Sequence, residues 1–211
     1  MADTRALVRA GAIAGPLYLL VGYAQAFTRD GFDLSRHALS QLANGDLGWI
    51  QTLNFAVSGL LVIAGAIGVR RMLRGTRGGT WGPILFALCG LGMMAASVFP
   101  ADPSPGFPPG TPDTVTISPR GMMHFLFGAV TFYSLIAACF VFSRRFFSLG
   151  DRGWGIASLL VGLFFFLSFS SLATGMVNAW TMYTLYVAVT AALLWHSAVH
   201  RKIGNLVTTS A

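Results

Sequence analysis

Six apolar stretches of about twenty residues each, almost free of charged side chains, dominate this chain of 211 residues. A helix rises about 1.5 Å per residue, so about twenty residues cross a hydrocarbon core of about 30 Å. Backbone polar groups must be satisfied inside lipid, which favours helices for such stretches. The pattern therefore predicts an all-α polytopic membrane protein, a single domain over residues 1–211. The predicted transmembrane spans are 8–27, 49–69, 81–99, 121–142, 153–173 and 180–200.

The composition agrees with a chain embedded in lipid. Hydrophobic residues make up 55% and charged residues 10% of the sequence, whereas soluble proteins carry about 25% charge. The net charge is +7, but the cations lie in short loops beside the spans, which is typical of topology signals and of contact with anionic lipid. We therefore expect membrane lipids or a hydrophobic small molecule as partners, no nucleic acid, and no cofactor.

The arginines divide the loops into two groups. The second and fourth loops and both chain ends are rich in arginine, whereas the other loops contain only Arg29, Arg36 and Arg120. Positive loops stay in the cytoplasm, so we expect both termini inside and the first, third and fifth connections outside the inner (plasma) membrane. The apolar run 10–27 is long for a signal peptide, and we expect it to remain as the first span.

The first outer loop is predicted to contain an amphipathic helix over residues 33–45. Asp33 is a suitable N-cap, and the Asn44-Gly45 pair is a stop signal. His37 and Ser40 then share its polar face. The helix is either a connector that lies flat at the interface or a support that presents His37 and Ser40 to the mouth of the bundle.

A polar stripe begins the second span. Gln51, Asn54 and Ser58 share one helix face. An amide in hydrocarbon needs a partner, so we expect this face to point into the bundle. Hydrogen bonding between helices, at about 1 kcal/mol per group, explains the stripe, and contact with a ligand is the alternative. Trp49 beside it is predicted to bind ligand.

The third connection, residues 100–120, is rich in proline and can form neither helix nor sheet. A long, stiff loop of this kind is either a rigid connector or a lid. Asp102 begins the loop, and His124 lies one turn into the fourth span, with Gly128 and Thr131 on the same face. Asp102 and His124 flank one hairpin and are expected to approach each other. The pair can shuttle protons, help to hold a metal, or pin the loop as a structural ion pair.

Polar side chains also flank the sixth span. Asn178 precedes it on the outer side and is predicted to bind ligand. His196 and His200, near its other end, are four residues apart, a spacing known for metal ligands. We expect these two histidines to anchor the helix at the membrane interface, and a metal site is the alternative.

Several motifs together resemble a known family. They are Gly15-Pro16, Ser35-Arg36-His37-Ala38-Leu39-Ser40, Gly48-Trp49-Ile50-Gln51, Trp81-Gly82-Pro83, Phe99-Pro100-Ala101-Asp102, and Gly121 with His124. In combination they are similar to the bacterial membrane family catalogued as domain of unknown function 998. The resemblance implies a six-helix bundle, similar in layout to proteins of the DRAM type, and implies no particular activity. Members often carry Trp-His where this chain has Pro119-Arg120.

These features predict a protein that binds a lipid-like or isoprenoid-like ligand in a bundle pocket open to the outer side. The predicted catalytic residues are Asp102, His124 and His37, acting in acid–base chemistry or on the polar head of the ligand. The predicted ligand-binding residues are Ser40, Trp49, Gln51, Asn54, Thr131 and Asn178, with no metal ligands. A terpene cyclase and a metal-dependent lipid hydrolase are alternative enzymes. A membrane scaffold, a transporter, or a stress or immunity protein is the non-enzymatic alternative.

Overall fold

The computed structural model describes residues 2–205, which form six long α-helices and one short 3₁₀ helix, Leu39–Ala43. The long helices are α1 (Ala2–Thr28), α2 (Gly48–Met72), α3 (Trp81–Val98), α4 (Pro119–Ser148), α5 (Arg152–Ala173) and α6 (Ala179–Asn205). All six are long and apolar enough to cross a membrane, and the described residues contain no β-strand. The predicted all-α fold with six spans is confirmed.

Most helices extend beyond the predicted spans because a span counts only the apolar residues. Helix α4 has 30 residues, a length of about 45 Å, which matches a bilayer with its headgroup regions rather than its hydrocarbon core alone. Helix α2 ends with Arg70 and Arg71 in its last turn, where cations complement the helix dipole. Charged residues therefore extend these helices into the headgroup region.

The helices form a closed ring. Each helix packs against its neighbours in the sequence, and α6 returns to pack against α1. The connections therefore alternate between two ends of the ring. The loop end carries connections 29–47, 99–118 and 174–178, and the basic end carries connections 73–80 and 149–151 with the start of α1 and the end of α6. The Lys and Arg residues of the described chain all lie at the basic end, except Arg29, Arg36 and Arg120.

The outer surface of the ring is apolar. Large side chains such as Leu20, Phe27, Leu126 and Leu167 are each more than half exposed. Water-soluble proteins rarely expose so extended an apolar surface, and lipid is the solvent that accepts it. The chain is therefore a multi-pass membrane protein.

Glycines bring three helices together in the basic half of the ring. The imidazole of His200 on α6 lies against Gly11 of α1 and Gly65 of α2. A Cβ atom added at Gly11 would lie 2.4 Å from that imidazole, and one at Gly65 would lie 2.7 Å from its Nε2. Small residues permit such close approach between membrane helices. Helices α1, α2 and α6 therefore pack closely around one imidazole.

The first long loop differs from the predicted helix over 33–45, because only residues Leu39–Ala43 are helical, as a 3₁₀ turn. Asp33 does not cap a helix. Its carboxylate accepts hydrogen bonds from the hydroxyl and backbone N–H of Ser35, which hold the pKa of Asp33 below its usual value. Its backbone N–H donates to Nδ1 of His37. Such local side-chain bonds compete with the hydrogen bonds of a helix.

Candidate functional site

The two long loops interlock at the loop end, and together we term them the loop cap, residues 29–47 and 99–118. Phe107 is fully buried and packs edge-on against Phe32, with 5.1 Å between ring centroids. The guanidinium of Arg29 lies 4.9 Å from the centre of the Phe107 ring and donates to two backbone carbonyls of its own loop. The cap therefore has a small aromatic core of its own.

His37 joins the two loops through its ring. Nδ1 accepts a hydrogen bond of 2.9 Å from the backbone N–H of Asp33, so the proton of the neutral ring lies on Nε2. Nε2 donates to the carbonyl of Pro105 at 3.0 Å. The carbonyl of His37 accepts from the hydroxyl of Tyr186 on α6. Because both ring nitrogens are used by backbone groups, this geometry supports a structural role and gives no support to the predicted catalytic one.

Asp102 begins the Pro-rich loop and binds Ser118, the N-cap residue of α4. Its carboxylate accepts hydrogen bonds from the backbone N–H of Ser118 at 2.8 Å and from the hydroxyl of Ser118 at 2.6 Å. That hydroxyl in turn accepts from the backbone N–H of Gly121. A Cβ atom at residue 121 would lie 2.0 Å from the carboxylate, so glycine is needed there. A negative charge at this position also complements the helix dipole.

His124 lies one turn into α4 and is 6% exposed. Its Nδ1 is 2.9 Å from the carbonyl oxygen of Phe99, at the end of α3. A carbonyl only accepts, so Nδ1 carries the proton and Nε2 of the neutral ring carries a lone pair. The bond to Phe99 therefore fixes the tautomer that leaves Nε2 as a hydrogen-bond acceptor.

The expected contact between Asp102 and His124 is not formed. The ion pairs of the described residues involve other side chains, and each of these two groups binds a different partner. The physical reason is that the first turn of α4 offers unpaired backbone donors. The N-cap residue Ser118 satisfies one of them, at Gly121, and the Asp102 carboxylate binds Ser118. The carbonyl at the end of α3 is the acceptor available to His124.

A cavity of about 160 Å³ lies beneath the loop cap, inside the loop half of the ring. Every helix contributes to its wall, for example with Tyr18, Phe55, Ala96, Gly128, Phe169 and Met182. Most of the wall is apolar, and the described residues that line it include no carboxylate. This is the usual composition of a pocket for a hydrophobic ligand.

One face of α4 supplies much of the cavity wall. His124, Gly128 and Thr131 all line the cavity, as their spacing on one helix face predicts. Ser40 of the 3₁₀ helix lines it from the side of the loop cap. A Cβ atom at Gly128 would meet nothing within 4 Å, so open space adjoins this glycine. The predicted residues His124, Ser40 and Thr131 are therefore brought together around one cavity.

Gln51 and Asn54 face the bundle interior but do not line this cavity. The side-chain oxygen of Gln51 accepts from Gln25 at 2.9 Å and from Asn54 at 3.2 Å. Its nitrogen donates to the hydroxyl of Tyr18, and Asn54 donates to the Tyr18 carbonyl. Ser58 completes the network through Asn54. These contacts favour hydrogen bonding between α1 and α2 over ligand binding.

Trp49 and Asn178 lie outside the cavity. Trp49 is 62% exposed, on the outer side of α2 near the loop end. The side-chain oxygen of Asn178 accepts from the backbone N–H groups of Trp180 and Thr181, which makes it the cap of α6. Neither residue lines the cavity, because Trp49 faces outward and Asn178 satisfies a helix end, so the structure gives no support to the predicted ligand contacts.

His196 and His200 are buried inside the ring and do not anchor α6 at the interface, contrary to the expectation. They are 1% and 0% exposed. Both rings pack against Phe86, at centroid distances of 4.6 Å and 5.0 Å. Nδ1 of His200 donates to the carbonyl of His196. Within residues 2–205, no three His, Cys, Asp or Glu side chains are grouped in a way that could hold a metal ion.

Sequence reasoning missed several residues of the cap and the cavity. Tyr18 and Tyr186 line the cavity, while Phe107 and Arg29 hold the cap together. A tyrosine inside an apolar span is a usable signal, because its hydroxyl needs a partner when buried. The sequence around Phe107 contains no comparable signal of its role, because the residues that Phe107 contacts lie far away along the chain.

The chain belongs to a family described as "Protein of unknown function (DUF998)", whose sequence model matches residues 12–201. No curated protein and no solved structure matches the chain. The match covers helices α2 to α5 in full, most of α1 and α6, and both loops of the cap, so the cavity at the loop end lies within the family region.

Proposed function

We propose that this member of the family binds a lipid-like or isoprenoid-like ligand in the cavity at the loop end, with the polar head of the ligand near His124. The observation that supports the proposal most directly is the cavity itself, an apolar space inside the ring that contains one buried imidazole. Membrane lipids, or hydrophobic small molecules dissolved among them, supply such ligands at high local concentration.

The size of the cavity limits what it holds. An engineered cavity of about 150 Å³ in another protein binds benzene, so a cavity of about 160 Å³ takes a segment of about six carbon atoms. One terminal segment of a longer chain fits, while the rest lies between helices or in lipid. Phe125 lines the cavity and is also 62% exposed on the outer surface, so this residue of α4 lies between the cavity and the lipid.

His124 supplies the polar chemistry of the site. Its Nε2 lone pair accepts a hydrogen bond from a hydroxyl head, and the same lone pair makes it a general base if the ligand reacts. Asp102 acts indirectly, because its carboxylate binds Ser118, the N-cap residue of the helix that carries His124. Ser40 and Thr131 add two hydroxyls to the wall. An Asp-initiated terpene cyclase is not supported, since the described residues that line the cavity include no carboxylate.

The substitution Gly128→Leu tests the proposal. A Cβ atom at Gly128 meets nothing within 4 Å, so a leucine side chain has room to extend from it into the adjoining cavity. Replacing glycine within a helix also favours the fold by about 0.5–1 kcal/mol. Gly153→Leu on α5 is the matched control, because a Cβ atom there also meets open space and the residue is outside the cavity. Farnesol and dodecanol are suitable probes of isoprenoid and straight chains.

We expect wild type and Gly153→Leu to bind at least one probe, measured by native mass spectrometry and by an increase in melting temperature in detergent. Gly128→Leu is expected to keep or raise its own melting temperature and to lose the probe. His124→Gln is expected to weaken binding of alcohols while binding of the matching hydrocarbon is kept. Binding by Gly128→Leu at the wild-type level, or the absence of binding by wild type, would leave a membrane scaffold as the function.

A further inference from the structure

A second cavity lies at the opposite end of the ring, between α1 and α6. Its volume is about 260 Å³. Arg5 and Arg9 line it from the first turns of α1, and Arg201 lines it from the last turns of α6. Val8 and Ala12 form an apolar part of its wall. The cavity therefore combines a cluster of three guanidinium groups with apolar surface between two membrane helices.

The positive charge of this cavity has no partner of opposite charge among the described residues. The two ion pairs in residues 2–205 join Arg71 to Asp3 and Lys202 to Asp151, so they use other cations. Nε of Arg5 is buried and has no hydrogen-bond partner within the described chain. An unsatisfied buried donor beside two like charges is unfavourable. An anion in the cavity removes both costs.

We infer that this cavity binds the phosphate of an anionic phospholipid. Guanidinium groups bind phosphate through paired N–H donors. Basic cavities between membrane helices are known to receive anionic headgroups, and the cavity lies where the helix ends reach the headgroup region. Val8 and Ala12 then contact the glycerol or the upper acyl chain of the same lipid. A free phosphate shares the charge but not this apolar contact, which is why a lipid fits the cavity better.

The basic cavity is distinct from the cavity at the loop end. Its arginines can be replaced singly by glutamine, which removes one charge at a time. Arg9 and Arg201 are exposed to the outside, so replacing either with glutamine removes charge without opening the core. Arg5→Gln tests the residue with the buried donor. Arg74→Gln is the matched control, because Arg74 is an exposed arginine of the basic end outside the cavity.

The experiment measures the melting temperature of the full chain in neutral detergent while phosphatidylglycerol is titrated in. Wild type and Arg74→Gln are expected to be stabilised at the same lipid concentration. Arg5→Gln, Arg9→Gln and Arg201→Gln are expected to need roughly tenfold more lipid, since a hydrogen bond to a charged group contributes on that order to affinity. Native mass spectrometry should show fewer bound phosphatidylglycerol molecules on the three cavity variants than on the control.

Two further arms decide between sources of the anion. Phosphatidylcholine and inorganic phosphate are each titrated in place of phosphatidylglycerol, and neither is expected to stabilise wild type at the same concentration. Equal stabilisation by inorganic phosphate would overturn the lipid assignment, and an equal lipid response of the cavity variants and Arg74→Gln would overturn the site. Gly128→Leu is expected to keep the full phosphatidylglycerol response, which separates this inference from the proposed function.

Discussion

At the scale of single residues, hydrogen-bond partners decide what the two histidines of the loop end can do. His37 uses both ring nitrogens on backbone groups of the loop cap. His124 uses Nδ1 on the Phe99 carbonyl and lines the cavity. A general base needs a lone pair within reach of the proton that it removes. His124 keeps the Nε2 lone pair that the proposed ligand would use, whereas the lone pair of His37 is already engaged.

The hydrogen bonds between Asp102 and Ser118, the N-cap residue of α4, predict a loss of stability in Asp102→Asn. Asparagine keeps one oxygen acceptor for Ser118 but lacks the charge that complements the start of α4, so we expect a loss of about 1–2 kcal/mol. The measurement is thermal unfolding in detergent. Asp113→Asn, an exposed change in the same loop, serves as the control and should leave the melting temperature unchanged. Wild-type stability of Asp102→Asn combined with lost binding of farnesol would instead make Asp102 part of the binding site.

The sequence predicted the positions of these residues better than it predicted their hydrogen-bond partners. The spacing of His124, Gly128 and Thr131 places them on one helix face, and that face lines the cavity. The expected contact between Asp102 and His124 is not formed, because two residues that flank the same hairpin can each have another hydrogen-bond partner nearer by. Asp102 binds Ser118, and His124 binds the backbone carbonyl of Phe99. A backbone carbonyl is present at every residue, so no side-chain pattern reveals that it takes the place of Asp102 as the partner of His124.

At the scale of elements, helices and loops differed in how far the sequence predicted them. An apolar run of the length of a bilayer has one stable solution in lipid, so the six helices followed from hydropathy alone. The loop cap depends on contacts between segments distant in sequence, such as His37 with Pro105 and Phe32 with Phe107. Composition showed that the Pro-rich segment is irregular. It did not show that Phe107 is the side chain of this segment that packs against the first loop.

A contact between the α4–α5 turn and α6 should make stability depend on pH. Lys202 lies 2.7 Å from the carboxylate of Asp151, and this hydrogen bond holds the pKa of Asp151 below its usual value. A carboxyl group with a lowered pKa in the folded state stabilises the fold above the pKa of the unfolded chain, about 3.9 for Asp. That stabilisation is lost as the pH falls through the lowered value.

The substitution Asp151→Asn isolates this contribution, because asparagine resembles the protonated acid. We expect wild type to melt at a higher temperature than Asp151→Asn near neutral pH, by a constant margin down to about pH 5. The margin should shrink below about pH 4. Asp30→Asn, an exposed change at the other end of the ring, should have the melting temperature of wild type at every pH. A margin for Asp151→Asn that persists or grows in acid would contradict the assigned ion pair.

At the scale of the whole molecule, ring closure creates both cavities. The wall of the loop-end cavity takes residues from all six helices, and the basic cavity lies where the last helix returns to the first. Hydropathy reports how many helices cross the membrane but not their order around a ring. The arginine clusters were visible in the sequence, whereas the meeting of Arg5 with Arg201 depends on the contact between α1 and α6.

The orientation of the ring in the membrane decides which compartment each cavity serves. Positive loops remain in the cytoplasm, so we propose that the basic end, with both termini, faces the cytoplasm of a cell whose plasma membrane holds the protein. The loop end then faces outward. Labelling of single cysteines tests this proposal, because the native Cys89 and Cys139 are buried and should give little background.

Thr114 of the loop cap and Arg74 of the connection 73–80 are both exposed and provide one labelling position at each end. In sealed right-side-out vesicles, a membrane-impermeant maleimide is expected to label Thr114→Cys and to leave Arg74→Cys unlabelled until detergent is added. The unmodified chain is the control for background. Labelling of Arg74→Cys alone in sealed vesicles would show the opposite topology, with the loop-end cavity on the cytoplasmic side. Labelling of both variants at equal rates would show that the vesicles leak. A leaking preparation is identified independently by a cytoplasmic marker enzyme, so the two outcomes are distinguishable.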